Sequence, residues 1–144
     1  MLGCSRESKQ AAPAAGAAGG GEGQLTAFEL ENGIGPVTEA ITLGPLDHEL
    51  AEAGKALFES KCSACHKMTE KYVGPALGEV TLRRTPAYIM NMVLDPEGMY
   101  TRHPVARQLL AEHMTQMPNL GLTRDQARQI VEYLRTQAPA KAAT

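Results

Sequence analysis

Tryptophan is absent from these 144 residues, and only four Tyr and two Phe supply large rings. A core so short of aromatic side chains must bury its apolar surface in some other way. No apolar run approaches the length of a bilayer-spanning helix, so the body of the chain is expected to be soluble. Net charge is only −2, which excludes the strongly basic footprint of a nucleic-acid binder. No alternating strand pattern competes with helical spacing, so the expected architecture is all-α. After a low-complexity start, one domain of about 100 to 120 residues remains, enough for a single core.

What is present is Cys62-Ser63-Ala64-Cys65-His66. Two thiols three residues apart followed at once by an imidazole form the attachment pattern of a c-type haem. On one helical turn, both sulfurs reach the haem vinyl groups as thioethers and His66 lies under the iron as proximal ligand. Other readings of these residues fail on their surroundings. A thioredoxin-like pair needs a βαβ context. A zinc site needs two further ligands, and His48, His103 and His113 make no second close pair. A Cys62–Cys65 disulfide would close too small a loop to stabilise much. One covalent haem c is the expected cofactor, and its large apolar body accounts for a core poor in aromatics. Removing it should unfold the domain.

Residues 1–24 differ in composition from the rest. From Ala11 to Gly23 the chain is almost wholly Ala and Gly, a flexible tether. Ahead of it, Leu2-Gly3-Cys4-Ser5 resembles the end of a bacterial lipobox, with a hydrophobic signal segment expected before it. The expectation is a lipid on Cys4 that holds the protein at a membrane, the alternative being an idle thiol. Residues 25–46 carry Gly35-Pro36 and Gly44-Pro45, which forbid a long helix. Their apolar residues suit an extended strap packed on the domain. The domain proper is expected over 47–138, with a short tail over 139–144.

Within it, Asp47 caps a helix carrying Leu50, Leu57 and Phe58 that runs into the haem motif. Thr85-Pro86 opens a second through Tyr88, Ile89, Met92 and Val93, ending near Asp95-Pro96. His103-Pro104 opens a third with Val105, Leu109, Leu110 and Met114. Thr123 and Gln126 form a capping box for the last, whose face is Ala127, Ile130, Val131 and Leu134.

The sixth position of the iron decides the chemistry. Most of the seven Met at helical spacing are core filler. Met117 stands apart because Pro118 holds it in an extended loop between two expected helices, where a side chain can be offered to a metal. Met114 is the first alternative, a His or an empty site the others. His103 and His113, on or beside a helix, suit solvated roles.

These features together resemble the small monohaem class I cytochromes c over roughly residues 47–137. Gly54, Phe58 and Cys62 fall at the family's intervals of four, with Ile130 and Tyr133 as last-helix partners. Gly74-Pro75 looks like the turn whose carbonyl accepts the proximal imidazole's hydrogen bond, and Met117-Pro118 like the distal ligand loop. The resemblance implies a class I cytochrome c fold, helices packed around one covalently bound haem. Metal ligands would be His66 and Met117, and cofactor contacts would come from Cys62, Cys65 and Pro75. Arg83, Arg84, Tyr88 and Asn91 are candidates for the propionates, although surface Arg pairs are commonly just solvated. The stretch from Asp95 to Gln116 exceeds a minimal member's needs and implies an extra helix.

Two strong axial ligands leave no site for substrate, which implies electron transfer without catalysis. A thioether and a buried haem both favour the ferrous state and hence a positive potential. The implied donor is a quinol-oxidising complex. The implied acceptor is a haem-copper oxygen reductase, or a reductase of nitrogen oxides, on the periplasmic or outer face of the cytoplasmic membrane. Residues 22–59 hold eight acids and one base, whereas residues 61–107 hold seven bases and four acids, which favours an acidic partner near the haem. Two other classes remain: a five-coordinate gas sensor or peroxidase-like enzyme, and a cytochrome bound permanently in a larger complex.

Overall fold

A computed structural model describes residues 23–139, and among them seven helices and no strand. Cys4 and most of the Ala/Gly tether lie outside the described residues. The helices are α1 (Ala27–Asn32), α2 (His48–Lys61), α3 (Val80–Arg83), α4 (Pro86–Leu94), α5 (Pro96–Arg102), α6 (Pro104–His113) and α7 (Arg124–Gln137). Six of the seven begin at a side-chain cap, and four of these open the helices that build the core and the cleft. The Asp47 carboxylate accepts from the Leu50 amide, the Thr85 hydroxyl from the Tyr88 amide, and the Thr123 hydroxyl from the Gln126 amide. His103 caps α6 through Nδ1, which accepts from the Val105 amide.

The most extensive helix contact in the fold joins α2 to α7. The buried face of α2 is Ala51, Gly54 and Phe58, whereas Leu50 and Leu57 sit at its margin. Small residues let the two backbones approach. A Cβ built on Gly54 would stand 1.9 Å from the Gln129 carbonyl oxygen and 3.0 Å from Tyr133 Cβ. One turn on, the Phe58 and Tyr133 rings meet with centroids 5.4 Å apart. Ala127, Ile130, Val131 and Leu134 of α7 are all buried, and α4 adds Ile89, Met90 and Val93 to the same core.

The segment 25–46 is not wholly extended. Thr26 and Glu29 form a reciprocal capping box that winds Ala27–Asn32 into a short helix before the chain straightens. Asn91, expected near a propionate, is fully buried and serves this segment instead. Its Oδ1 accepts from the Val37 amide at 2.9 Å, and its Nδ2 donates to the Val37 and Asn32 carbonyls at 2.9 and 3.0 Å. His103, expected in solvent, is 1% exposed. Its Nδ1 already accepts a hydrogen bond, so Nε2 carries the proton and donates to the Leu30 carbonyl at 3.1 Å. Both residues look polar and free in the sequence, and both are buried because a segment more than fifty residues away folds over them.

Glu132 on α7 is fully buried. Its Oε1 accepts from the Asp47 amide at 2.8 Å and from Arg135 at 2.7 Å, and its Oε2 pairs with Arg128. Arg135 also donates to the Gly44 carbonyl at 2.9 Å, so one carboxylate ties together α7, the start of α2 and the chain leading to it. Burial opposes its ionisation, but the Asp47 amide and the two guanidinium groups outweigh that and hold the carboxyl below the usual glutamate range. A depressed folded pKa stabilises the fold above the unfolded value, and that share is lost as pH falls through the folded one. Glu132→Gln should therefore cost about 2 kcal/mol at pH 7, less than a fully buried pair because both Arg remain partly exposed. In thermal melts the gap between variant and parent should narrow as the pH is lowered below the usual glutamate range. A gap unchanged with pH would rule the mechanism out.

Candidate functional site

The end of α2 carries the attachment motif. The Cys62 amide still donates to the Phe58 carbonyl, and the Cys65 and His66 amides both return to the Cys62 carbonyl at 3.1 and 3.0 Å. Cys62, Cys65 and His66 thus occupy one tight turn and all three line the same apolar cleft. Both thiols are free, with Cys62 buried and Cys65 partly so. Burial pushes the Cys62 thiol up, which makes it a poor thiolate without a partner.

The following loop orients His66. Gly74 donates its amide to the Cys65 carbonyl at 2.8 Å, which brings Pro75 alongside the ring. His66 Nδ1 lies 3.0 Å from the Pro75 carbonyl oxygen. A carbonyl only accepts, so Nδ1 holds the proton and Nε2 keeps its lone pair for a metal. Burial holds the imidazole below its usual pKa although the Pro75 bond works the other way, so His66 is neutral and able to ligate. A Cβ at Gly74 would lie 2.5 Å from His66 Cε1; only glycine leaves room for the ring here.

The 115–120 loop lines the same cleft. Met117 lines the cleft half-buried, and its amide donates to the Tyr100 hydroxyl at 2.8 Å. Tyr100, on α5, carries no sequence signal linking it to a residue seventeen places on; tertiary packing alone makes the pair. Met114, the alternative ligand, is the left-handed cap that ends α6, with φ +52°, and is 87% exposed. It does not line the cleft. His113, expected in solvent, does.

Whether a haem suits this cleft is a question of lining and of unmet polar atoms. The walls are mainly apolar, from Phe58, Leu77, Ile89, Val93, Ile130 and Leu134 among others. Among the described residues, two buried side-chain polar atoms lack a hydrogen-bond partner, Tyr88 Oη and His113 Nδ1, and both residues line the cleft. An apolar slot with two unmet polar atoms, two thiols and a neutral imidazole fits a flat apolar group bearing a metal and a few polar substituents. Arg83 and Arg84 also reach the lining, Arg84 lying 5.1 Å over the Tyr88 ring. Among the described residues no three His, Cys, Asp or Glu cluster into an all-protein metal site.

The family model for cytochrome c matches residues 51–138. The chain belongs to the cytochrome c family. It is a class I monohaem member, helical throughout its described secondary structure, and its cofactor is one covalently bound haem c. Cytochrome c from Rhodothermus marinus is 48% identical, with a TM-score of 0.72 over 76% of this chain and 94% of that one. An engineered form of that protein, bound to a carbene intermediate, is 47% identical with a TM-score of 0.69, over 76% of this chain and 95% of the other. Cytochrome c-551 of Stutzerimonas stutzeri is 57% identical over 35 residues, which are 24% of this chain and 34% of the relative. A cytochrome c-553-like protein of Synechocystis is 36% identical over 45 residues, 31% of this chain and 43% of the relative. The chain therefore spans less than half the length of either of these two curated relatives it matches.

Proposed function

We propose that this cytochrome c carries single electrons, with Cys62 and Cys65 as thioether anchors and His66 and Met117 as the two axial ligands. The observation that carries the reading is the meeting of His66 and Met117 in one apolar cleft, each held from behind, His66 by the Pro75 carbonyl and Met117 by the Tyr100 hydroxyl. The haem iron, when bound, supplies a couple between ferrous and ferric states. The residues around it do the rest. Pro75 keeps the imidazole in the ligating tautomer and raises its basicity. Tyr100 fixes the backbone that presents the thioether. Apolar walls exclude water and so disfavour the extra charge of the oxidised state. With His66 and Met117 both holding the iron, no place would be left on it for a substrate, and the protein would act as a carrier and not as an enzyme.

Donor and acceptor follow from a positive potential: a quinol-oxidising complex upstream, and a haem-copper oxygen reductase or a nitrogen-oxide reductase downstream. The excess of basic residues over 61–107 supports docking to an acidic surface. The site of action is the periplasmic side of the cytoplasmic membrane, where c-type haem is attached. A lipid on Cys4, which lies outside the described residues, would hold the domain beside neighbouring membrane complexes at high effective concentration. Mass spectrometry of the native protein should find Cys4 acylated, and an unmodified Cys4 would leave a freely diffusing carrier.

Met117→Ala tests the distal ligand. Oxidised parent protein should show the weak near-infrared sulfur-to-iron band, and the variant should lose it. Its potential should fall by on the order of 0.1 V, a fraction of the range of about 0.8 V that axial ligands span. If Met114→Ala removes the band and Met117→Ala does not, the assignment of the ligand is wrong.

A further inference from the structure

The loop that carries Met117 is tied to the rest of the fold at two points. The Met117 amide donates to the Tyr100 hydroxyl at 2.8 Å, and Asn119 Nδ2 donates to the Leu94 carbonyl at 3.3 Å. Leu94 is the last residue of α4 and Tyr100 lies in α5, so both ties end on the corner that these helices make at Asp95. The α5 side of that corner stands outside the main frame. Among the described residues α4 packs on α7, whereas α5 packs on α4 and α6 and has no comparable contact with α2 or α7. Something further has to fix α5 if Tyr100 is to hold anything in place.

The segment 32–37 grips both sides of the corner. On α4, Asn91 bonds the Asn32 carbonyl and both backbone groups of Val37. On α5, Met99 is fully buried beside Tyr100, and its Sδ accepts from the Ile34 amide at 3.1 Å. Gly33 comes so close that a Cβ there would stand 3.0 Å from Met99 Sδ, and its φ of +78° is one that other residues rarely adopt. Ile34, Tyr88, Met99 and Ala106 make a buried cluster separate from the one around Phe58 and Ile130, and Tyr100 packs against it. Neither Met99 nor any described residue of 25–46 lines the cleft, so whatever they do for the cofactor site they do through other residues. We propose that Met99 is a positioning residue for the distal ligand and that residues 32–37 are the clamp on it. The segment fixes α5, α5 fixes the Tyr100 hydroxyl, and the hydroxyl fixes the backbone that presents the Met117 thioether. A thioether favours the ferrous state, so a firm clamp raises the potential and a slack one lowers it.

The inference rests on Met117 being the distal ligand, and the two fail in different ways. Haem-loaded parent, Met99→Leu, Tyr100→Phe, their double variant and Glu132→Gln would be compared by imidazole titration of the ferric form, by reduction potential and by melting. Leucine conserves the volume of Met99 but offers no acceptor, which leaves the buried Ile34 amide unmet. Apparent affinity follows the fraction of molecules whose iron is accessible, so Met99→Leu should bind imidazole about fivefold more tightly and have a lower potential. The double variant should bind it no more tightly than Tyr100→Phe alone, because the clamp acts through that hydroxyl. Glu132→Gln, weakened at α7 instead, should melt lower and keep the parent's potential and imidazole affinity. A Met99→Leu change of about twofold or less, effects that multiply in the double variant, or an equal gain in Glu132→Gln would each overturn the clamp. A sulfur band that survives in Met117→Ala would instead overturn the ligand assignment beneath it.

Discussion

Gly54→Ala should be among the most damaging single-methyl additions to this protein, lowering the melting temperature of the haem-loaded form by more than about 10 °C. Two effects oppose each other. Alanine inside α2 gains up to about 1 kcal/mol of helix propensity over glycine. Against that, the new methyl would sit 1.9 Å from the Gln129 carbonyl oxygen and 2.5 Å from its carbon, both main-chain atoms that no rotamer change can clear. The helices must move apart by more than an ångström, which loosens the Phe58–Tyr133 contact and the seam around Ile130. Such overpacking costs about 3 kcal/mol or more. At roughly 4 to 8 °C per kcal/mol for a domain of this size, the clash wins. Melting curves followed by helical circular dichroism decide it, and a shift of a degree or two would mean that α2 and α7 do not cross as described.

Replacing Cys62 and Cys65 together with alanine should abolish haem that survives denaturation, while parent protein keeps its haem through acid-acetone extraction and a denaturing gel. The apo chain should then fail to melt cooperatively. Its cleft is walled by apolar residues from α2, α4 and α7, and without the cofactor those walls face water. His66→Ala should spare the thioethers and abolish the normal spectrum, because Nε2 is the donor that the Pro75 carbonyl prepares. Complete loss of haem from parent protein on denaturation would sink the attachment reading.

Local signals in the chain proved dependable where the forming bonds are themselves local. Asp47, Thr85 and Thr123 each cap a helix through an amide three residues on, so sequence and structure agree on them. The apolar face of α7 was legible for the same reason, since one period of 3.6 places all four residues inward. Burial of polar groups was not. Asn91, His103 and Glu132 look like surface residues, and each is enclosed by a partner more than fifty positions away. His113 was misplaced likewise, for nothing nearby in the chain says that the end of α6 lines the cleft. The short helix at 27–32 is a different case: Thr26 and Glu29 carry a capping box in plain view, and Gly35-Pro36 forbids only a long helix there. At the site, spacing alone pointed to Cys62, Cys65 and His66 and a proline to Met117, and the structure brings all four to one cleft. The hydroxyl of Tyr100 behind Met117 had no such marker.

The pairing of α2 with α7 also sets an order of events during maturation. The first long helix cannot complete its packing until the last one arrives, because its closest neighbours are Gln129 and Tyr133. Until then the Cys62 thiol remains open to the surroundings; afterwards it is only 9% exposed. Covalent attachment and the docking of α7 onto α2 are therefore competitors for the same interval: a fold that leaves α2 unfinished until α7 packs keeps the Cys62 thiol within reach of the attachment machinery.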